Sequence, residues 1–130
     1  GIPGISIPAG FVDGLPVERV GVIYDPGNSL WEGFTDAGYA IDVLGPYLAH
    51  VHCKSSAPVF FGGGVPRGRR IGHLWGALQD GELDWEDIVR TLAASGYGGY
   101  LSIEALDRRQ SERKMAEDAP FLRELLQRYG

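Results

Sequence analysis

Three stretches of the chain repeat one pattern: a short apolar run, a polar residue at its end, a loop, then apolar residues at helical spacing. The runs are Val20–Tyr24, Leu48–Cys53 and Tyr100–Ile103. Near-continuous apolar runs of this length suit strands buried on both faces of a parallel sheet. Asp25-Pro26-Gly27-Asn28 is turn chemistry and stops the first strand. From Asp36 to Leu44, Ala37, Ala40, Ile41 and Leu44 fall on one helical face, and Gly45-Pro46 ends that helix. After the second run, residues 55–84 show neither period and read as a long loop containing Gly62-Gly63-Gly64. Loops of this length inside a compact domain are usually functional or mobile. Asp84 is placed to cap a helix over Trp85–Ala94, with Asp87 three residues on and Gly96 as its stop. A last helix over Ser111–Arg128 carries Phe121, Leu122, Leu125 and Leu126 on one stripe, and Pro120 should kink or restart it. Residues 1–16 read as an irregular, glycine- and proline-rich lead-in, and residues 17–130 as three strand–helix units of a single domain. The fold class is therefore α/β, a segment of a parallel sheet or barrel.

The polar residue at the end of each strand carries the chemistry. The runs end at Asp25, at His52 and at Glu104, and parallel barrels gather their strand C-termini on one catalytic face. Two carboxylates and an imidazole there form a donor set for one divalent ion, Mn, Mg, Co or Zn. Asp25 taken alone is better explained by a turn role. His50 and His52 are two apart and share a strand face. His52 is nearer the rim, while His50 would sit deeper and need a partner of its own. Glu104 is the hardest to explain without a ligand, because a carboxylate on an apolar strand is costly unless paired. Lys54 stands just past His52, where it would meet a substrate oxyanion or phosphate, or be a solvated loop lysine. Asn28 and Trp31, placed in the loop after Asp25, offer an amide and an aromatic wall for a sugar. Glu32 and His73 read as solvated loop residues, and Cys53 as a small buried residue facing away from the histidines.

Composition narrows the classes. A net charge of −5 argues against nucleic acid or an acidic membrane as partner. The basic stretch Arg67, Arg69, Arg70 is too small to change that. The glycine run lacks nucleotide-fingerprint spacing. One cysteine permits no intrachain disulfide and fits a reducing compartment, with the cytoplasm as the expected location. No run reaches the ~20 apolar residues of a membrane span. A chain of 130 residues lacking an initiator Met reads as a processed or excised piece, about half of the roughly 250 residues of a complete eightfold barrel.

In order, VGVIYDPGN with EGF, LGPYLAHVHCK, DGELDW and GYGGYLSIE resemble the C-terminal part of the sugar phosphate isomerase/epimerase family, xylose-isomerase-like TIM barrels related in fold to endonuclease IV. The resemblance runs from Val17 to Leu126. It implies a (β/α)8 barrel represented by its sixth to eighth strands, incomplete as a barrel. It implies that Asp25, His52 and Glu104 match the last three of four metal ligands, and that Glu104 is one of two glutamates that move a proton through a metal-stabilised enediolate. The first glutamate has no counterpart before Val20, and some epimerases carry a substrate-binding histidine where Asn28 stands.

The expected function is thus a divalent-metal-dependent sugar or sugar-phosphate isomerase or epimerase. A non-catalytic metal- or sugar-binding barrel segment is the alternative, and an endonuclease-IV-like phosphodiesterase ranks below both. Three strands leave open sheet edges, so self-association or a complementing chain is expected.

Overall fold

The computed structural model describes residues 5–33, 35–60, 71–105 and 111–130. Its centre is a parallel sheet of three strands, β1 (Val22–Tyr24), β2 (Leu48–Cys53) and β5 (Leu101–Ile103), in the order β1-β2-β5. Ile23 lies opposite His50, His52 opposite Ser102, and Cys53 opposite Ile103. Each strand is followed by a helix that packs back on the sheet, the connection that parallel neighbours require. The three strands are a segment of a TIM-barrel fold and do not close.

Capping chemistry starts three of the helices. Asp25, Asp36 and Asp84 accept the backbone N–H three residues on, opening α2 (Pro26–Glu32), α3 (Ala37–Leu44) and α4 (Trp85–Ala94). Gly45 and Gly96 end α3 and α4 at φ of 48° and 77°, a region that favours glycine. The final helix, α5 (Ser111–Tyr129), runs through the exposed Pro120 rather than restarting there. Its buried face places Lys114 and Asp118 in line with Leu122 and Leu125.

Among the described residues, helices cover the sheet on one side only. Val22, Tyr24, Val51 and Cys53 form one apolar core with Ala40, Ile41 and Leu44 of α3, Trp85, Ile88 and Leu92 of α4, and Leu122 and Leu125 of α5. The alternate residues, Ile23, His50, His52 and Ser102, point to the other side, where Ile23 is 52% exposed. The expectation of strands buried on both faces is therefore corrected to one buried and one open face. An apolar run cannot by itself tell the two situations apart.

Three further expectations are corrected. The lead-in 1–16 contains a helix, α1 (Ser6–Val12), which sends Val12 into the core. The segment after Asp25 is a helix rather than a loop, because Pro26 at its first position supplies a preset φ and Asp25 the cap. The expected loop over residues 55–84 contains an antiparallel pair, β3 (Ser55–Phe60) and β4 (Ile71–Gly76), in register from Ser55↔Gly76 to Phe60↔Ile71. Pro58 and the two glycines of β4 hide these strands from pattern reading. Gly62, Gly63, Gly64, Arg67, Arg69 and Arg70 lie outside the described residues, as does the side chain of His73, whose backbone belongs to β4. No helix among the described residues is long and apolar enough to cross a membrane.

Candidate metal centre

The C-terminal ends of β1, β2 and β5 bring Asp25, His52 and Glu104 together on the open face. One donor atom from each lies within 4.8 Å of the others. Strand alternation explains the convergence: Asp25 continues the face of Ile23, and Glu104 that of Ser102. The backbone fixes Glu104 as the next rung of the ladder, with its N–H donating to the Cys53 carbonyl at 2.9 Å. Lys114 reaches across from α5 and donates to the Glu104 carbonyl at 3.4 Å.

Asp25 holds its turn role and its site role at once. Its Oδ1 accepts the Asn28 N–H at 2.9 Å and caps α2, while Oδ2 faces the site, 3.7 Å from His52 Nδ1. The two histidines separate as their spacing implies. His50 sits one step deeper and pairs with Ser102 Oγ at 2.9 Å through Nε2, and its ring stands edge-on to His52 at 5.4 Å. His52, half-buried at the rim, is the imidazole that joins the two carboxylates.

Lys54 corrects the reading of a solvated loop residue. It is only 3% exposed, and its Nζ lies 2.8 Å from Asp25 Oδ2 and 2.6 Å from Glu104 Oε2. Loss of hydration pulls its pKa down, but hydrogen bonds and charge from Asp25 and Glu104 outweigh that and hold it above the ordinary lysine value. The stem crosses the first turn of α2, where a Cβ on Gly27 would stand 2.4 Å from Lys54 Cγ. Only glycine leaves that track open. Trp75 of β4 covers the ammonium, with its ring centroid 5.3 Å from Nζ.

Trp75 is the site neighbour that sequence reading missed, because it sits on the hidden strand β4. Its ring also tilts against Trp31 at 5.9 Å. Trp31, on α2 rather than in a loop, is 50% exposed and so does not cover the core. Asn28 uses its backbone for the cap and exposes its side chain beside Asp25, at a small cleft of ≈ 130 Å³ lined also by Ile23 and Glu32. Glu32 is exposed on α2 as expected. Lys114 and Asp118 form the second polar cluster. Asp118 is 1% exposed, accepts the Leu78 N–H at 2.9 Å and lies 3.7 Å from Lys114 Nζ. Their spacing on the α5 stripe was the sequence signal for burial. Cys53 faces this cluster from the covered side, and burial together with the nearby Asp118 charge pushes its thiol up to about 12.

The donor set fits a divalent ion. An ion about 2.1 Å from each donor needs those donors within roughly 4.2 Å of one another, so shifts of well under ~1 Å suffice. Two carboxylates against one lysine also leave the cluster with a net negative charge, which favours a cation. A larger cavity of ≈ 570 Å³ lies at the opposite end of the sheet among Gly45, Leu48, Ala49 and Gly96–Gly99, away from these donors.

Comparison with known proteins identifies the family and the fold. The family model for the xylose isomerase-like TIM barrel matches residues 9–125. The rhizopine catabolism protein MocC of Rhizobium meliloti is 32% identical over 98 residues, covering 68% of this chain and 28% of that protein. The crystal structure of a xylose isomerase domain protein from Planctomyces limnophilus superposes with a TM-score of 0.74. That match covers 99% of this chain and 45% of the other, at 21% identity, and is a likeness of fold. The chain thus spans less than half the length of either protein.

Proposed function

The chain belongs to the xylose isomerase-like TIM-barrel family, and from that premise we propose that it is part of a divalent-metal-dependent isomerase or epimerase acting on a sugar or sugar phosphate. The convergence of Asp25, His52 and Glu104 at three consecutive strand ends carries this reading. The kinship with a rhizopine catabolism protein supports a catabolic role.

In this reading the three residues would hold one Mn, Mg, Co or Zn ion, which when bound would supply Lewis acidity toward a substrate carbonyl. Glu104 is the catalytic residue: it removes the proton from the carbon next to that carbonyl or returns it. The open face leaves the substrate free to approach Glu104 from the barrel interior. Asn28 and Trp31 bind substrate beside Asp25, the amide to a hydroxyl and the ring along an apolar face of the sugar. Lys54 supplies a positive charge for a substrate oxyanion or phosphate. The open edges of β1 and β5 would pair with further strands, from a second copy or a complementing chain.

The test is proton exchange. The protein, with Mn²⁺ and a panel of ketoses, aldoses and their phosphates in deuterated water, should introduce deuterium at the carbon beside a carbonyl, read by NMR. Loss of that exchange in Glu104→Gln would support the reading. Metal binding with no exchange on any substrate would replace it with the non-catalytic alternative. That alternative has its own support, since a lysine already paired with both carboxylates is how a purely structural ion cluster is built.

A further inference from the structure

We propose that Lys54 is an internal counter-cation of the metal centre: it holds the ligand carboxylates together while no metal is bound, and it leaves its place between them when a divalent ion enters. The inference rests on the metal-binding reading above and concerns what this chain does with the same site before metal arrives.

Two carboxylates within 4.8 Å of each other repel unless a cation stands between them. Here the cation is built in. Lys54 Nζ reaches Oδ2 of Asp25 and Oε2 of Glu104 at 2.8 and 2.6 Å, one bond to each end of the ligand set. Neither residue is a sequence neighbour of Lys54, so the ammonium ties the ends of β1 and β5 to that of β2. The position is also prepared. The stem lies in a track open only because residue 27 is glycine, where a Cβ would come within 2.9 Å of Lys54 Cε as well. The Trp75 ring closes the other side.

The same geometry excludes joint occupancy. An ion bonded at about 2.1 Å to these carboxylate oxygens would meet an ammonium held by the same two atoms at hydrogen-bond distance. Like charges that close, in a partly buried site, do not share a pair of ligands. The four-carbon stem lets Nζ swing away, and the ammonium so released is free to face a substrate oxygen. Metal entry and exposure of a substrate-binding charge become one event.

The experiment uses the unaltered protein, because Lys54 and Lys114 are its only lysines. Trace acylation with an N-hydroxysuccinimide ester at fixed pH, read by peptide mass spectrometry, follows both side by side. Without metal, Lys54 should react slowly. Saturating Mn²⁺, with binding verified by calorimetry on the same sample, should speed its acylation about tenfold or more and leave the buried Lys114 unchanged. Bound Mn²⁺ with no change at Lys54 overturns the proposal and leaves the metal reading standing. In parallel, Lys54→Met should bind Mn²⁺ about tenfold or more tighter, since a competing cation is gone. Equal or weaker affinity in that variant counts against the proposal. Absence of Mn²⁺ binding in both proteins overturns the proposal and the metal reading together. Should Lys54→Met fail to fold, the acylation of the unaltered chain decides alone.

Discussion

The two faces of the parallel sheet are built from adjacent residues of the same strands, yet they carry opposite chemistry. On the covered face, Val51 and Cys53 are fully buried against three helices. On the open face, His50 and His52, each one residue away, pair with Ser102 and approach Asp25. A strand's period of two lets one short segment serve as core and as site without compromise between them. The covered face should therefore govern stability and the open face ligand binding. Substitutions one position apart should separate the two properties.

The largest contrast is kinetic. The Cys53 thiol, raised to about 12 by burial, holds only about 10⁻⁴ thiolate at pH 8, against roughly a tenth at the unfolded value of 9.0. Alkylation of the native protein should be about a thousandfold slower than that of the urea-unfolded chain, rising tenfold per pH unit. The same shift has a sign for stability. Keeping the thiol neutral costs nothing below the unfolded value of 9.0, and the contribution is lost as pH rises from there toward about 12. Stability measured by urea should therefore fall with pH across that window. Labelling as fast as in the unfolded chain would mean the covered face is not closed.

Next in size are the buried groups of that face. Asp118→Ala removes the acceptor of the Leu78 N–H and leaves Lys114 buried without its partner. Breaking such a pair should cost about 3–5 kcal/mol in urea denaturation. The double variant Asp118→Leu, Lys114→Met should recover much of that loss, because both desolvated charges go together. Leu44→Ala, a fully buried position on α3, should cost about 2–5 kcal/mol. Leu44→Ala touches neither a candidate metal donor nor a group bonded to one, so its Mn²⁺ affinity should hold wherever the protein remains folded.

The smallest effect on stability belongs to the open face. Ile23→Ser removes a half-exposed side chain on the site side of β1 and should change stability by no more than about 0.5–1 kcal/mol. A loss above about 2 kcal/mol would show this face to be buried in the assembled protein. Sedimentation of the unaltered chain would then reveal the partner that covers it.

Much of this was legible in the chain. The three parallel strands, the cap at Asp84, and the polar residue ending each strand all follow from local pattern, because each depends on a few neighbouring residues. The cooperation of Asp25, His52 and Glu104 followed from one topological rule, that parallel strands end on one side. What escaped was non-local. The β3–β4 pair is defined by partners across a ten-residue connection and interrupted by Pro58, which argues against a strand when read alone. Lys54 looked like a rim lysine because its two partners, Asp25 and Glu104, are distant in sequence, the latter by 50 residues. Nothing in CKSS announces an ion pair. Trp75 was lost with its strand. Asp25 caps α2 through Oδ1 while its Oδ2 faces His52, so an ordinary structural explanation of a residue does not exclude a place in a candidate site.

The central claim is that Asp25, His52 and Glu104 form one divalent-metal site, and calorimetric titration with Mn²⁺ tests it most directly. The account predicts one ion per chain, with binding weakened about a hundredfold in both His52→Ala and Glu104→Gln while circular dichroism shows both variants folded. Binding of equal strength in all three proteins, or none in any, would contradict it.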